Sequence, residues 1–254
     1  KRQIDSNASE YSAIAIGELA TSNGGYSVAM GHKANVEGGL SVGIGVSSNA
    51  NATSTTAIGS YANASANYAT ALGTGSAASG DFSIASGYAS KAIGENSIAL
   101  GFSAIANNAQ AIAMGTSANS SAHRSVAIGF ASLSNADNAV AMGVSSNASG
   151  VNAMSLGVIS SASALDSIAL GTGSQAKQDK AIALGKESIA DGVNAAAIGV
   201  ASKASAWDSM ALGTLANASS DRAMALGRES KANATDSVAM GVRANASGVN
   251  AMSL

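Results

Sequence analysis

The chain of 254 residues contains no cysteine and no proline, and only 4% of its residues are aromatic and 11% charged. The lack of cysteine excludes a disulfide framework and thiolate metal sites. No apolar run approaches the roughly 18 residues that a membrane-spanning helix needs. The formal net charge of −2 provides no general attraction to nucleic acid or to acidic membranes. We therefore expect no nucleic-acid partner and no membrane insertion of this segment.

Small residues make up just over half of the chain, with 58 Ala, 43 Ser and 29 Gly. A chain of this length normally fills its core with Leu, Ile, Val and Phe, and too few of these are present. Disorder is also disfavoured, because the charge is low and the mean hydropathy is +0.20. The composition predicts a thin, repetitive and closely packed structure.

Glycine recurs every 14 residues without interruption, in 17 copies. The residue before each glycine is Ile, Leu or Met except at Ser86, and the third residue before it is Val, Ile or Met except at Thr56, Thr70 and Ala196. The third residue after it is always Ala or Ser. These structural glycines are Gly17, Gly31, Gly45, Gly59, Gly73, Gly87, Gly101, Gly115, Gly129, Gly143, Gly157, Gly171, Gly185, Gly199, Gly213, Gly227 and Gly241.

Each repeat alternates large and small residues before its glycine, as in Ser97-Ile98-Ala99-Leu100, and this is the period of a strand. Ala104-Ile105-Ala106 predicts a second short strand. Glycine suits the turn between them, where a positive φ or close approach is needed. We therefore predict an all-β parallel solenoid of about 18 coils, stacked about 4.8 Å apart.

The sequence leaves open which face of the first strand lies inside the coil. We favour Val, Ile, Leu and Met inside, with Ala and Ser between subunits. In that arrangement Thr56, Thr70, Ser86 and Ala196 would leave cavities or admit water. In either arrangement one apolar face lacks cover within its own coil, so we predict side-by-side association of identical chains in a closed ring.

Segments 97–101, 125–129 and 237–241 read Ser-Ile-Ala-Leu-Gly, Ser-Val-Ala-Ile-Gly and Ser-Val-Ala-Met-Gly. They resemble the head repeats of the YadA-like trimeric autotransporter adhesins, and the resemblance covers essentially the whole chain. It implies one left-handed, homotrimeric β-roll head over residues 1–254, with no catalysis and no cofactor. It also implies a place on the bacterial surface, projecting from the outer membrane, a role in virulence, autoagglutination or biofilm, and binding to collagen, fibronectin, laminin, host receptors or other cells.

The two ends of the chain depart from the repeat. Residues 1–10 form a degenerate coil, in which Arg2 takes an aliphatic position and Gln3 the glycine position, and we expect them to cap the solenoid. The chain stops at Leu254, where the next glycine is due. We expect a longer protein, in which the resemblance implies a neck, a stalk and a membrane anchor.

Aromatic residues avoid the regular apolar columns and fall at predicted turns. Clustered exposed rings make effective binding anchors, so we identify them as a candidate adhesive site. The alternative, which we favour, is that the rings cap the ends of the roll or fill grooves between subunits. The candidate ligand-binding aromatics are Tyr61, Tyr68, Phe82, Tyr88 and Phe102.

Basic residues gather in the C-terminal half, at Lys177, Lys180, Lys186, Lys203, Arg222, Arg228, Lys231 and Arg243. A basic strip could bind acidic polysaccharide or matrix protein. Interleaved acids favour a solvated face instead, and they include Asp179, Glu187, Asp221 and Glu229. The basic residues taken as candidate ligand-binding residues are Lys177, Lys180, Arg222 and Arg228.

Polar residues at equal positions of successive coils predict side-chain ladders. We expect ion-pair ladders Asp166–Lys180 and Asp208–Arg222–Asp236, each exposed pair contributing about 0–1 kcal/mol. We also expect ladders of stacked Asn. The same repeat pattern explains the Asn-x-Ser/Thr triplets that begin at Asn51, Asn63, Asn119, Asn147, Asn217, Asn233 and Asn245.

Nothing in the sequence indicates an enzyme or a metal site. His32 and His123 lie many coils apart, the Ser columns carry no recurring base, and the Gly-Thr-Gly segments open no helix. An ice-binding solenoid, a structural spacer and a hexapeptide-repeat acyltransferase are the alternatives. Thr follows no column and 14 is not a multiple of six, so an adhesin head fits better.

Overall fold

The computed structural model describes residues 5–254, which fall into two compact units, 5–124 and 125–254. Both units repeat one coil: a three-residue strand, a turn, a two-residue strand and a second turn. Within the described residues every regular element is a strand, and none is a helix able to cross a membrane. The predicted all-β parallel solenoid of about 18 turns is confirmed. Arg2 and Gln3 of the predicted cap lie outside the described residues.

The three-residue strands of each unit form one parallel sheet, here called the aliphatic sheet. Residues 14 apart lie side by side, as Ile84, Ile98 and Ile112 do. In the first unit its strands are Ile14–Ile16, Val28–Met30, Val42–Ile44, Thr56–Ile58, Thr70–Leu72, Ile84–Ser86, Ile98–Leu100 and Ile112–Met114. In the second they are Val126–Ile128, Val140–Met142, Met154–Leu156, Ile168–Leu170, Ile182–Leu184, Ala196–Ile198, Met210–Leu212, Met224–Leu226 and Val238–Met240, followed by the shorter last strand Met252–Ser253.

The two-residue strands form a second parallel sheet in each unit, here called the short sheet. In the first unit its strands are Asn7–Ala8, Thr21–Ser22, Asn35–Val36, Asn49–Ala50, Asn63–Ala64, Ala77–Ala78, Lys91–Ala92, Ile105–Ala106 and Asn119–Ser120. In the second they are Leu133–Ser134, Asn147–Ala148, Ser161–Ala162, Gln175–Ala176, Ile189–Ala190, Lys203–Ala204, Asn217–Ala218, Lys231–Ala232 and Asn245–Ala246.

The interior between the two sheets is filled almost entirely by Ala and Ser, such as the fully buried Ala99 and Ala106. The arrangement that we favoured from the sequence, with Val, Ile, Leu and Met inside, is therefore wrong. Each strand is only two or three residues long, so the sheets must approach closely, and small side chains permit this. Thr56, Thr70 and Ala196 lie on the outer face, as does Ser86, and the predicted internal cavities at these positions do not arise.

Serine is tolerated at most interior positions because its hydroxyl reaches a nearby turn, whereas Oγ of Ser48, Ser83 and Ser97 has no hydrogen-bond partner. Oγ of Ser76 donates to the carbonyl oxygen of Gly73 at 2.8 Å, and Oγ of Ser167 donates to that of Ala164 at 2.7 Å. Each bond satisfies a carbonyl group at a turn and a hydroxyl that is buried away from water. Serine can therefore replace alanine in the interior columns.

The repeat glycines adopt a positive φ, and nearly all of those described leave no space for a side chain. At Gly101 φ is 131°, and a Cβ atom built there would lie 2.6 Å from the carbonyl oxygen of Gly115 in the next coil. Only glycine meets both requirements. The sequence prediction for these positions is confirmed.

Candidate functional site

The outward side chains of the aliphatic sheet form an apolar stripe along each unit, here called the aliphatic face, which is interrupted in the first unit by Thr56, Thr70 and Ser86. They are the first and third residues of each three-residue strand. Ile16 is 52% exposed in the first unit and Leu212 is 45% exposed in the second. Soluble monomers rarely expose long contiguous apolar surfaces, and such surfaces mark sites of association. The described coils thus carry their large aliphatic residues where another molecule can cover them.

Each coil has two turns, which lie at opposite ends of its two strands. The glycine turn contains the repeat glycine and the two residues after it, and the variable turn lies seven residues further along the chain. The last residue of each turn adopts a left-handed conformation, as Tyr61 does at φ 58° and Tyr68 also at φ 58°. Side chains at these turns project from the two edges of the coil.

The candidate aromatic residues separate into two sets. Tyr61, Tyr88 and Phe102 lie on glycine turns, whereas Tyr68 and Phe82 lie on variable turns. All five are exposed, Tyr61 to 65%. The structure therefore does not bring the predicted set together as one cluster, because half a repeat separates the two kinds of turn.

Within each set, rings from adjacent coils stack. Tyr68 and Phe82 have ring centroids 4.8 Å apart and an interplanar angle of 3°, and for Tyr88 and Phe102 the values are 5.2 Å and 9°. Tyr11 and Tyr26 form a third, edge-to-face pair at 5.0 Å, which sequence reasoning missed. Tyr11 lies eight residues and Tyr26 nine residues after the glycine position of the repeat. This phase, which is that of the variable turn, could have identified them from the sequence.

The candidate basic residues also lie on two edges. Lys180 and Arg222 are on variable turns, Lys177 lies just before one, and Arg228 is on a glycine turn. Three of the four face an acid: Nζ of Lys177 lies 2.9 Å from Oδ1 of Asp191, Arg222 pairs with Asp236, and Nε of Arg228 lies 3.6 Å from Oε1 of Glu229. The four do not form one basic strip.

The predicted ion-pair ladder is present at one step. Arg222 donates two hydrogen bonds to the carboxylate of Asp236, at 2.6 and 2.7 Å, which lower the pKa of Asp236 and raise that of Arg222. The guanidinium also lies 6.0 Å from the ring centroid of Trp207. These contacts tie the variable turns of neighbouring coils together.

The other predicted steps are wrong. Asp166 accepts a hydrogen bond from Asn152, and Asp208 accepts one from Asn194. Among residues 5–254, no ion pair joins Asp166 to Lys180 or Asp208 to Arg222. Both aspartates therefore have an asparagine amide of the preceding coil as their hydrogen-bond partner, in place of the cation that we had expected.

The predicted asparagine ladder is confirmed on the outer side of the short sheet in the first unit. Nδ2 of Asn35 donates to Oδ1 of Asn49 at 3.2 Å, and Nδ2 of Asn49 donates to Oδ1 of Asn63 at 3.3 Å. Thr21 donates to Oδ1 of Asn35 at 2.7 Å and extends the ladder. Equal positions in successive coils thus bond to one another along the sheet.

A groove of about 730 Å³ lies on the outer side of the short sheet in the second unit. Nε of Arg243 donates to Oε2 of Glu229 at 2.7 Å on one wall, and this bond holds the pKa of Glu229 below its ordinary value. The sequence analysis named three basic residues of this groove, Lys203, Lys231 and Arg243, but did not predict the groove itself. Its lining residues are Ala201, Lys203, Leu215, Ala216, Asn217, Glu229, Lys231, Arg243 and Asn245.

Among the described residues, no group of three or more His, Cys, Asp or Glu side chains is placed to hold a metal ion.

The sequence matches the family model of the YadA head domain repeat. The matched segments are residues 8–34, 37–62, 50–76, 78–104, 106–132, 134–160, 162–188, 208–230 and 232–254.

Among solved structures, the collagen-binding domain of the Yersinia adhesin YadA is similar, with 24% identity and a TM-score of 0.36. The similarity covers 63% of this chain and 66% of that one. A comparison with curated proteins finds no match. Because the family model matches most of the sequence, and does so in phase with the coils, the chain belongs to the YadA head family.

Proposed function

We propose that this chain is the head of a bacterial surface adhesin, which forms a homotrimer through its aliphatic face and displays its turns and short sheet to ligands. Membership of the YadA head family supports an adhesin role. The observation that carries the proposal is the aliphatic face itself. Its large side chains point away from the coil, while the coil interior holds Ala and Ser.

The energetics favour association through this face. Covering a partly exposed Val, Ile, Leu or Met side chain contributes about 1 kcal/mol, and most coils present two such residues. Alanine in the interior buries little apolar area per residue, so the contacts inside one coil stabilise it less than an ordinary core would. Identical chains that carry the same apolar stripe can cover it most simply by associating in a closed ring.

In this assembly the short sheet and both kinds of turn remain accessible. We propose extracellular matrix proteins such as collagen, fibronectin and laminin, host receptors or other bacterial cells as ligands of these surfaces. The exposed aromatic pairs at the turns supply rigid apolar anchors of the kind that dominate binding energy in protein interfaces. The protein would act at the cell surface, without catalysis.

The association is tested by charged substitutions in one coil. Ile98 lies on the aliphatic face and Ile105 on the outer side of the short sheet, and both are half-buried. Sedimentation equilibrium should find a trimer for the unmodified chain, dissociation of Ile98→Glu, and a retained trimer for Ile105→Glu. A folded monomeric unmodified chain, or equal dissociation of both variants, would contradict the proposed interface.

The adhesin role is tested with the intact trimer on immobilised collagen, fibronectin and laminin, on host cells and on other bacterial cells. Saturable adhesion that competes with soluble ligand supports the proposal. Trimers that adhere to none of these surfaces would instead indicate a structural spacer.

A further inference from the structure

The groove on the short sheet of the second unit presents an alternating row of charged and amide side chains. Lys203, Asn217, Lys231 and Asn245 occupy the same position in four successive coils, in parallel register. Strand spacing places neighbouring members about 4.8 Å apart, so the two lysines are separated by about 10 Å along the sheet. The row is linear and lines the groove throughout.

Neither groove lysine has an acid of its own, although the charge of Glu229 also acts on Lys231. Among residues 5–254, neither Lys203 nor Lys231 makes an ion pair. The only acid that lines the groove, Glu229, already accepts a hydrogen bond from Arg243 at 2.7 Å and lies 3.6 Å from Arg228. The groove therefore has a net positive charge, unlike the surface around Lys177, which faces Asp191.

The lysines also change the pattern of the short sheet. In the first unit, amides at this position bond to one another from coil to coil. Asn217 has lysine on both sides, and its buried Oδ1 atom has no hydrogen-bond partner, whereas Oδ1 of Asn245 accepts a bond from Asn233 at 3.3 Å. In this row, therefore, neither the lysines nor Asn217 has a side chain of the same type in the adjacent coil. The row lies on the short sheet, opposite the aliphatic face.

We propose that this groove binds a linear acidic polysaccharide, with carboxylate or sulfate groups at Lys203 and Lys231 and sugar hydroxyls at Asn217 and Asn245. This proposal rests on the proposed adhesin function and names one class of ligand for it. The exposed side chain of Leu215 offers an apolar shelf at the groove wall for the faces of sugar rings.

The geometry favours a polysaccharide over an acidic peptide. The backbone groups of the short sheet already pair between coils, so only side chains are available to a ligand lying on this face. An extended peptide would leave its own backbone groups unpaired there. A sugar chain presents acidic groups and hydroxyls repeatedly along its length, which matches a row of alternating cations and amides.

The test uses the full chain in its native oligomeric state, with heparin as the sulfated probe and alginate as the carboxylated probe. Lys203→Gln with Lys231→Gln removes the groove lysines. The matched control is Lys33→Gln with Lys91→Gln, which removes the same charge from two exposed lysines of the first unit. Binding is measured at increasing salt concentration by surface plasmon resonance, and circular dichroism and sedimentation check fold and assembly.

We expect the groove variant to bind at least one probe about tenfold more weakly and the control about as tightly as the unmodified chain. Equal losses in both variants would overturn the proposal, because they would indicate attraction by overall charge. Absence of probe binding by the unmodified chain at physiological salt would also overturn it. Trimer formation and adhesion to matrix proteins, measured on the same samples, report on the adhesin function independently of the groove.

Discussion

The side chain of Val36 occupies the space that Gly43 leaves inside one coil. A Cβ atom built on Gly43 would lie 2.6 Å from Cγ2 of Val36. In the neighbouring coils, Ser22 and Ala50 occupy the position of Val36, while alanine occupies that of Gly43. A larger residue in one sheet is thus matched by a smaller one in the facing sheet, which keeps the sheets at the distance set by alanine.

This pairing predicts a non-additive double-mutant cycle. Val36→Ala should destabilise the protein by about 1–3 kcal/mol through a cavity, and Gly43→Ala by about 1–3 kcal/mol through overpacking. The double variant recreates the ordinary alanine pair and should be less destabilised than the sum of the two. Denaturant unfolding of the four proteins measures this coupling. Additive effects would show that the two positions do not share one space.

A second prediction compares a repeat glycine, Gly101, with Gly75, a glycine that does not occupy the repeat position. Gly101→Ala should destabilise the chain by about 3 kcal/mol or more, because the new Cβ atom meets the backbone of Gly115 at a φ of 131°. Gly75→Ala is the matched control. Gly75 has a φ of 66°, where other coils carry ordinary residues, and a Cβ atom there meets nothing within 4 Å.

The control should therefore cost about 1 kcal/mol, the penalty of the left-handed conformation alone. Thermal unfolding of both variants, compared with the unmodified chain at equal concentration, provides the measurement. Similar losses of stability in the two variants would contradict the role of close approach between coils at the repeat glycine.

The repeat made much of the fold predictable. An uninterrupted spacing of 14 residues predicts the stacked coils, and Ile98-Ala99-Leu100 predicts a strand with one large and one small face. The sequence could not decide which face lies inside, because both are apolar. That choice depends on the thickness of the coil. Small residues such as Ala99 let the two sheets approach each other, and interior serines can then reach turn carbonyl groups, as Ser76 does.

The sites were less predictable, for two different reasons. Tyr61, Tyr68 and Tyr88 are close in sequence, yet Tyr68 lies half a repeat from the other two and therefore on the opposite edge. That separation follows from the phase of each residue. The groove at Lys203 and Lys231 does not follow from the phase of its residues, because its depth depends on how far the neighbouring side chains of the glycine turns project above the short sheet.

The pair Arg222–Asp236 predicts a pH-dependent contribution to stability. The hydrogen bond from Arg222 lowers the pKa of Asp236 below the ordinary value of 3.8. A lowered folded-state pKa stabilises the fold above the unfolded-state pKa, and this contribution is lost as the pH falls through the lowered value. The melting temperature of the unmodified chain should therefore exceed that of Asp236→Asn at neutral pH, and the difference should vanish in acid.

Arg222→Gln provides the control background for this measurement. When the guanidinium is absent, Asp236→Asn should change the melting temperature little at any pH. A pH-dependent difference that persists in that background would assign the effect to another partner of Asp236.

The aromatic pairs remain a prediction as ligand anchors, and their placement allows them to be tested separately. Replacing Tyr68 and Phe82 with Ser removes the stacked pair on variable turns, and replacing Tyr88 and Phe102 removes the pair on glycine turns. Each loss should weaken adhesion to an immobilised matrix ligand by roughly tenfold, the effect of an aromatic anchor. Because the pairs lie on opposite edges, the two effects should multiply in the fourfold variant. Unchanged adhesion would remove the anchor hypothesis, and loss of the trimer would instead place these rings between subunits.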